Sequence, residues 1–167
     1  TSNQYIVNYT LHPNPTDTRT LKEHIEQHEK SFGKVLESVT ADAGYGSAEN
    51  YDLLETKSIK AFVKYNMFDK QQNGNYNKKT SFSSEQLHYN KEKDVFYCPM
   101  GQEMNFIGFS KRKTSTGYEQ TLKKYQAKNC STCPLNGVCH KSKGNRTIEI
   151  NHSLKEHKKK VHQLLNS

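Results

Sequence analysis

Apolar and polar positions follow two periods in the first part of the chain. Gln4–Thr10 (QYIVNYT) is rich in β-branched and aromatic residues and predicts a strand, which His12-Pro13-Asn14-Pro15 breaks. Leu21, Ile25, His28 and Phe32 then recur at i, i+4, i+7 and i+11, the spacing of one helix face. Thr20 and Glu23 have capping-box spacing at its start and Gly33 stops it; His28 on the apolar stripe reads as a packed core histidine. Lys34–Ala41 predicts a second strand, Asp42-Ala43-Gly44-Tyr45-Gly46 a turn, Ser47–Glu55 a short helix and Ile59–Tyr65 a third strand. Strand, helix, strand, helix, strand at such short spacings implies an α/β fold of parallel βαβαβ units.

The pattern changes after Tyr65. Asn66–Asp94 is polar, carries Gln71-Gln72-Asn73-Gly74-Asn75 and shows no sustained period, so it reads as a mobile linker. Val95–Asn151 contains short strand-like pieces and every cysteine of the chain. A last helix is expected from near Ser153, with Leu154, Val161 and Leu165 on one face. The expected organisation is a core over 1–65, a linker over 66–94, a basic cysteine-rich insertion over 95–151 and a returning, truncated core helix over 152–167.

Only 32% of the 167 residues are hydrophobic, well under the ~45–50% usual for globular domains. One large core filling the whole chain is therefore not expected. No apolar run approaches the ~20 residues of a membrane helix, and the N-terminus lacks a secretory profile. The chain reads as soluble and cytoplasmic. Its net charge of +8 is uneven: residues 1–56 hold 4 Lys+Arg against 9 Asp+Glu, and residues 57–167 hold 21 against 8. That asymmetry points to a polyanion, nucleic acid first, for the second part. The basic candidates are Lys111, Arg112, Lys113, Lys123, Lys124 and Arg146, with Lys111–Lys113 beside Gly117 resembling a hairpin tip. Only 3 of the 25 basic residues are Arg, the better bidentate phosphate ligand, so a solvated lysine surface is the competing reading.

Cys130-Ser-Thr-Cys133 is a C-x2-C pair, and Cys98-Pro-Met-Gly101 has the look of half a zinc knuckle. A tetrahedral Zn²⁺ takes four such ligands, which Cys98, Cys130, Cys133 and either Cys139 or His140 would supply. Such an ion would stabilise a segment poor in apolar residues. The spacing is not that of a standard ribbon, and disulfides or ordinary thiols are the alternatives.

Asp42 follows a predicted buried strand and precedes a Gly-x-Gly turn. In open α/β sheets the carboxyl ends of strands face the ligand crevice, and a carboxylate there can ligate Mg²⁺. The plain alternative is a turn and cap residue.

The run Thr40-Ala41-Asp42-Ala43-Gly44-Tyr45-Gly46-Ser47-Ala48-Glu49-Asn50-Tyr51, preceded by Asn14-Pro15-Thr16-Asp17, resembles the second-aspartate block of bacterial insertion-sequence transposases of the DDE type. Tyr97-Cys98-Pro99 and Cys130–His140 resemble the cysteine-bearing insertion of one branch of these enzymes. The resemblance implies a partial ribonuclease-H-like core interrupted by a small β-rich, zinc-knuckle-like insertion and closed by a C-terminal helix. It also implies DNA cleavage and strand transfer with two Mg²⁺ ions, DNA ends and target as partners, and self-association in a transposition complex.

Of the family's acidic triad only the second aspartate carries over, onto Asp42. Asp17 follows a proline-broken loop and is not assigned the first role. The late glutamate's Tyr-x2-Arg-x3-Glu-x6-Lys context is absent, and Glu156 is explained by a Ser153–Glu156 capping box. The chain is therefore expected to be an internal fragment without activity of its own. A non-catalytic, zinc-dependent nucleic-acid-binding module is the rival reading, and a protein-interaction domain is a third.

Overall fold

The computed structural model describes residues 5–13 and 16–167, the side chains of Asn77 and Lys79 excepted. The fold is mixed α/β. It divides into two compact units, the first made of Thr1–Asp69 with Ser153–Ser167 and the second of Lys70–His152. This division places the charge: the second unit holds 14 Lys+Arg against 6 Asp+Glu, a balance of +8, while the first holds 11 against 11. The whole net charge of the protein belongs to the second unit.

In the first unit, helix α1 (Leu21–Phe32) ends at Gly33, whose φ of 62° is a left-handed cap that glycine adopts without strain. The expected box at its start does not form: Thr20 has helical φ −92° and ψ −21° instead of a cap's extended backbone, and its Oγ1 donates to the Asp17 carbonyl. Strand β1 (Ser38–Ala41) leads through a turn to helix α2 (Ala48–Thr56) and strand β2 (Lys60–Val63). The two strands pair in parallel, Ser38 with Lys60 through Ala41 with Val63. Ser47 caps α2, its Oγ accepting from the Asn50 N–H at 3.2 Å. Leu21, Ile25, Tyr51, Leu54, Ile59, Val63, Tyr65, Phe68 and Val161 form the core, with Leu154 and Leu165 packed against it.

The last helix, α5 (His152–Leu165), thus lays its predicted apolar face on this core. Ser153 lies inside the helix with its Oγ bonded to Asp52, so the Ser153–Glu156 capping box is not made. His157 is buried and its Nε2 lies 2.7 Å from Asp52 Oδ1 of α2. His28 is half-buried against Phe32 rather than in the core.

The first predicted strand does not form. Gln4 lies outside the described residues, and residues 5–13 carry no strand. Tyr5, Ile6, Val7, Tyr9 and Leu11 are exposed. Strand propensity expresses itself only where a neighbour supplies hydrogen bonds and a face to bury, and no described strand of this chain pairs with the segment. The expected βαβαβ core is therefore a single parallel βαβ unit, β1–α2–β2.

Residues 66–94 are not structureless. They hold helices α3 (Phe68–Gln71) and α4 (Gly74–Lys79), a 3-10 turn at Ser84–Gln86 and strand β3 (Tyr89–Asn90). The second unit is an antiparallel sheet of β3, β4 (Val95–Tyr97), β5 (Glu103–Lys113), β6 (Glu119–Ala127) and β7 (Thr147–Ile150), in that order. One face is packed with Leu87, Phe96, Met104, Tyr125, Ala127, Cys130, Ile148 and Ile150. Strands β5 and β6 make a long hairpin whose turn holds Gly117 at φ 84°, where the sequence places a hairpin tip.

Candidate carboxylate corner and basic ribbon

Asp42 stands directly after β1, at the carboxyl end of the two parallel strands. Its Oδ1 accepts from the Gly44 N–H at 2.8 Å and caps the 3-10 turn Ala43–Tyr45. The turn role and a metal-facing role are compatible, since one carboxylate has lone pairs for both. Next to it lies Asp17, an acid to which the sequence alone assigns no role. A Cβ placed on Gly44 would sit 3.1 Å from Asp42 Oδ1 and 3.3 Å from Asp17 Oδ2, so both carboxylates flank the same glycine.

Buried Asn50 holds the two acid-bearing turns together. Its Nδ2 donates to the Thr18 carbonyl at 3.1 Å and to the Tyr45 carbonyl at 2.8 Å. Thr18 Oγ1 adds a bond to the Gly44 carbonyl at 2.9 Å. The corner offers oxygen donors at a strand end, a donor set that suits Mg²⁺, which commonly takes one or two carboxylates and completes its shell with water and substrate oxygens. Bonds of the neighbouring Thr18, to Asn50 across 32 residues and to Gly44 across 26, bring Asp17 there. Asn50 at the third position of α2, polar yet buried at 2% exposure, is the one hint of it.

The four cysteines are free thiols. Cys130 is buried in the core of the second unit, its Sγ accepting the Arg146 backbone N–H at 3.3 Å, and Cys98 packs at the edge of that core. Cys133 and Cys139 are half-buried, and His140 bonds Ser142 at 2.7 Å. Among the described residues no three His, Cys, Asp or Glu side chains come together as a metal centre would require. The donor arrangement therefore does not fit the expected zinc knuckle on Cys98, Cys130, Cys133 and Cys139.

The basic candidates separate into two kinds. Lys111, Arg112 and Lys113 are exposed near the end of β5, opposite Thr121, Gln120 and Glu119 of β6. Arg112 pairs with Glu149 at 2.6 Å, Lys113 with Glu119 at 3.1 Å and Lys124 with Glu149 at 3.9 Å. Such exposed pairs are worth only about 0–1 kcal/mol and exchange readily for a phosphate. Lys123 is more tightly held, 2.8 Å from Asp94, whose hydrogen bond raises its pKa. Arg146 is different: it is buried at 5% exposure and its guanidinium donates to the Phe82 carbonyl. Burial removes Arg146 from the open phosphate ligands.

Residues 97–167 match the family model of the transposase DDE domain. The match covers the β5–β6 hairpin, the cysteine segment and α5, and Asp42 lies outside it. No curated protein and no solved structure matches the chain. No described helix is long and apolar enough to cross a membrane.

Proposed function

We propose that this chain is part of a DDE-type DNA transposase, an enzyme that cuts and joins DNA at the ends of an insertion sequence. The observation that carries the reading is the transposase DDE match, most of which falls on the unit holding the entire +8 net charge. In this reading Asp42, with Asp17 beside it, is the carboxylate corner that would hold Mg²⁺. The ion would supply activation of a hydroxyl and charge neutralisation at a phosphodiester. The chain's own contribution is positional: Asn50 ties the two turns, and Gly44 keeps the space between the carboxylates clear of a side chain. The ribonuclease-H-like core, self-association on DNA and a cytoplasmic place of action belong to the same proposal.

The exposed ribbon is where the second unit would meet the DNA backbone, through Lys111, Arg112 and Lys113, with Lys123 and Lys124 further along it. Phosphate contacts release counterions, so affinity falls as salt rises. Titrating the chain with duplex DNA at several salt concentrations checks this. Neutralising Lys111, Arg112 and Lys113 to Gln is expected to weaken binding to all sequences alike and to flatten the salt dependence by roughly one unit of slope per lost contact. An unchanged slope would remove the ribbon from the interface.

The chain alone is expected not to cleave DNA in Mg²⁺, because the described residues gather no third acid at the corner. Cleavage of end-sequence DNA by the chain, abolished by Asp42→Ala, would overturn that expectation.

A further inference from the structure

The β5–β6 hairpin outruns the sheet that carries it. Strand β4 pairs with β5 only at Glu103 and Met104, and β7 pairs with β6 only from Lys123 to Gln126. Beyond those points the two strands run on as a ribbon. A regular strand sends residues three apart to opposite faces. A register shift between Phe106 and Gly108 changes that, with Gly108 at φ 137°, a backbone conformation open to glycine and strained for other residues. Phe106 and Phe109 consequently meet on one face, ring centroids 5.0 Å apart and edge-on, while remaining 40% and 64% exposed.

Two exposed aromatic rings side by side call for an occupant. Phe106 is braced in place, with the buried Tyr125 ring 6.0 Å away and Lys123 Nζ 5.6 Å from its centroid. Lys123 is itself fixed by Asp94. Further along the same face the register places Lys111 and Lys113. Braced apolar rings followed by cations match a strand that presents both bare bases and phosphates. Duplex DNA offers the phosphates but keeps its base faces stacked.

We infer that the Phe106–Phe109 pair is a stacking site for unpaired nucleobases, so that the ribbon takes single-stranded DNA with Lys111 and Lys113 on its phosphates. The inference rests on the DNA-acting reading above and adds what the basic residues alone cannot supply, a preference for unpaired DNA.

The test uses the full chain, a labelled oligo-dT strand and a duplex of equal length, read by fluorescence anisotropy at one salt concentration. Phe109→Ala and Phe109→Leu are each expected to weaken oligo-dT binding about tenfold, the loss of one stacked base. Duplex binding should change less than about twofold, and Phe109→Trp should restore the strand. The Leu variant keeps the apolar bulk, so it separates stacking from any loss of fold. Unchanged oligo-dT affinity, or equal losses on both DNAs, would overturn the inference while leaving the DNA reading intact. Sedimentation showing a wild-type dimer that Phe109→Ala dissociates, with oligo-dT affinity unmoved, would assign the patch to a second copy instead. Failure of the wild type to bind either DNA would sink both readings.

Discussion

Gly46→Ala is expected to destabilise the first unit by about 3 kcal/mol, the upper range for forcing atoms into filled space. The reason is room, not backbone angle, since Gly46 has φ −77° and ψ 72°. A Cβ built there falls 2.2 Å from the Lys64 carbonyl oxygen and 2.7 Å from Tyr65 Cα. Both are backbone atoms just past β2, and neither can rotate away as a side-chain tip would. The turn after β1 and the segment after β2 must separate, and Asp42 sits at the head of that turn. Urea unfolding checks the magnitude, with Gly74→Ala as the control because nothing lies within 4 Å of its Cβ position. Equal midpoints for the two variants would show that the close approach carries no energy. Any Mg²⁺ affinity measured at Asp42 should fall with Gly46→Ala even though no carboxylate is altered.

The sequence makes some of this arrangement legible. Gly33 as a helix stop, the short helix expected over Ser47–Glu55 and the Leu154–Val161–Leu165 face of α5 are local signals, and the structure forms each element within a residue of its signal. Asp42 is likewise found at the end of a parallel strand. What local patterning misreads depends on distant partners. Tyr5–Thr10 has strand chemistry but finds no described neighbour to pair with, so its propensity goes unused. Arg146 looks like a surface cation until the fold buries it on the Phe82 carbonyl, 64 residues away. Asp17 looks like a loop acid until Asn50 draws its turn beside Asp42. In the Asn66–Asp94 stretch, short helices and a two-residue strand are too brief for any period to declare itself.

The same dependence on distant partners explains why Asp94 is the polar residue whose loss should cost the second unit most. It lies in the turn before β4 at φ 51°, a left-handed position that Asp and Asn tolerate better than most residues. Its Oδ1 accepts from Tyr89 Oη at 2.7 Å and Tyr125 Oη at 2.6 Å, and its Oδ2 from Lys123 at 2.8 Å. Tyr125 Oη also lies 2.8 Å from His152 Nε2; with its single proton committed to Asp94, it accepts there and His152 donates. Burial pushes the Asp94 carboxyl upward, and the bonds from Lys123, Tyr125 and Tyr89 overcome it, leaving the pKa lowered to about 2. Burial first, then Asp94, raises the pKa of Tyr125 in turn. Asp94→Ala removes three bonds to a charged acceptor and is expected to cost about 3 kcal/mol in urea unfolding. Asp94→Asn, which keeps the backbone preference and one acceptor, should cost about half as much.

The pH dependence carries the sign that identifies the cause. A carboxyl lowered in the folded state contributes its stability above its unfolded pKa of about 3.9 and loses it as pH falls toward about 2. Because this side chain is 37% exposed, solvent reduces the effect to about 1 kcal/mol across that window. The wild type should therefore lose its advantage over Asp94→Asn between pH about 4 and about 2. A difference between the two that stays constant through that range would place the stabilisation in the turn geometry rather than in the charge that Tyr89, Tyr125 and Lys123 surround. The ribbon would feel the distinction as well, since Asp94 fixes Lys123 and Lys123 braces Phe106. An Asp94→Asn protein at neutral pH should consequently bind oligo-dT more weakly than wild type while its contacts to duplex phosphates persist.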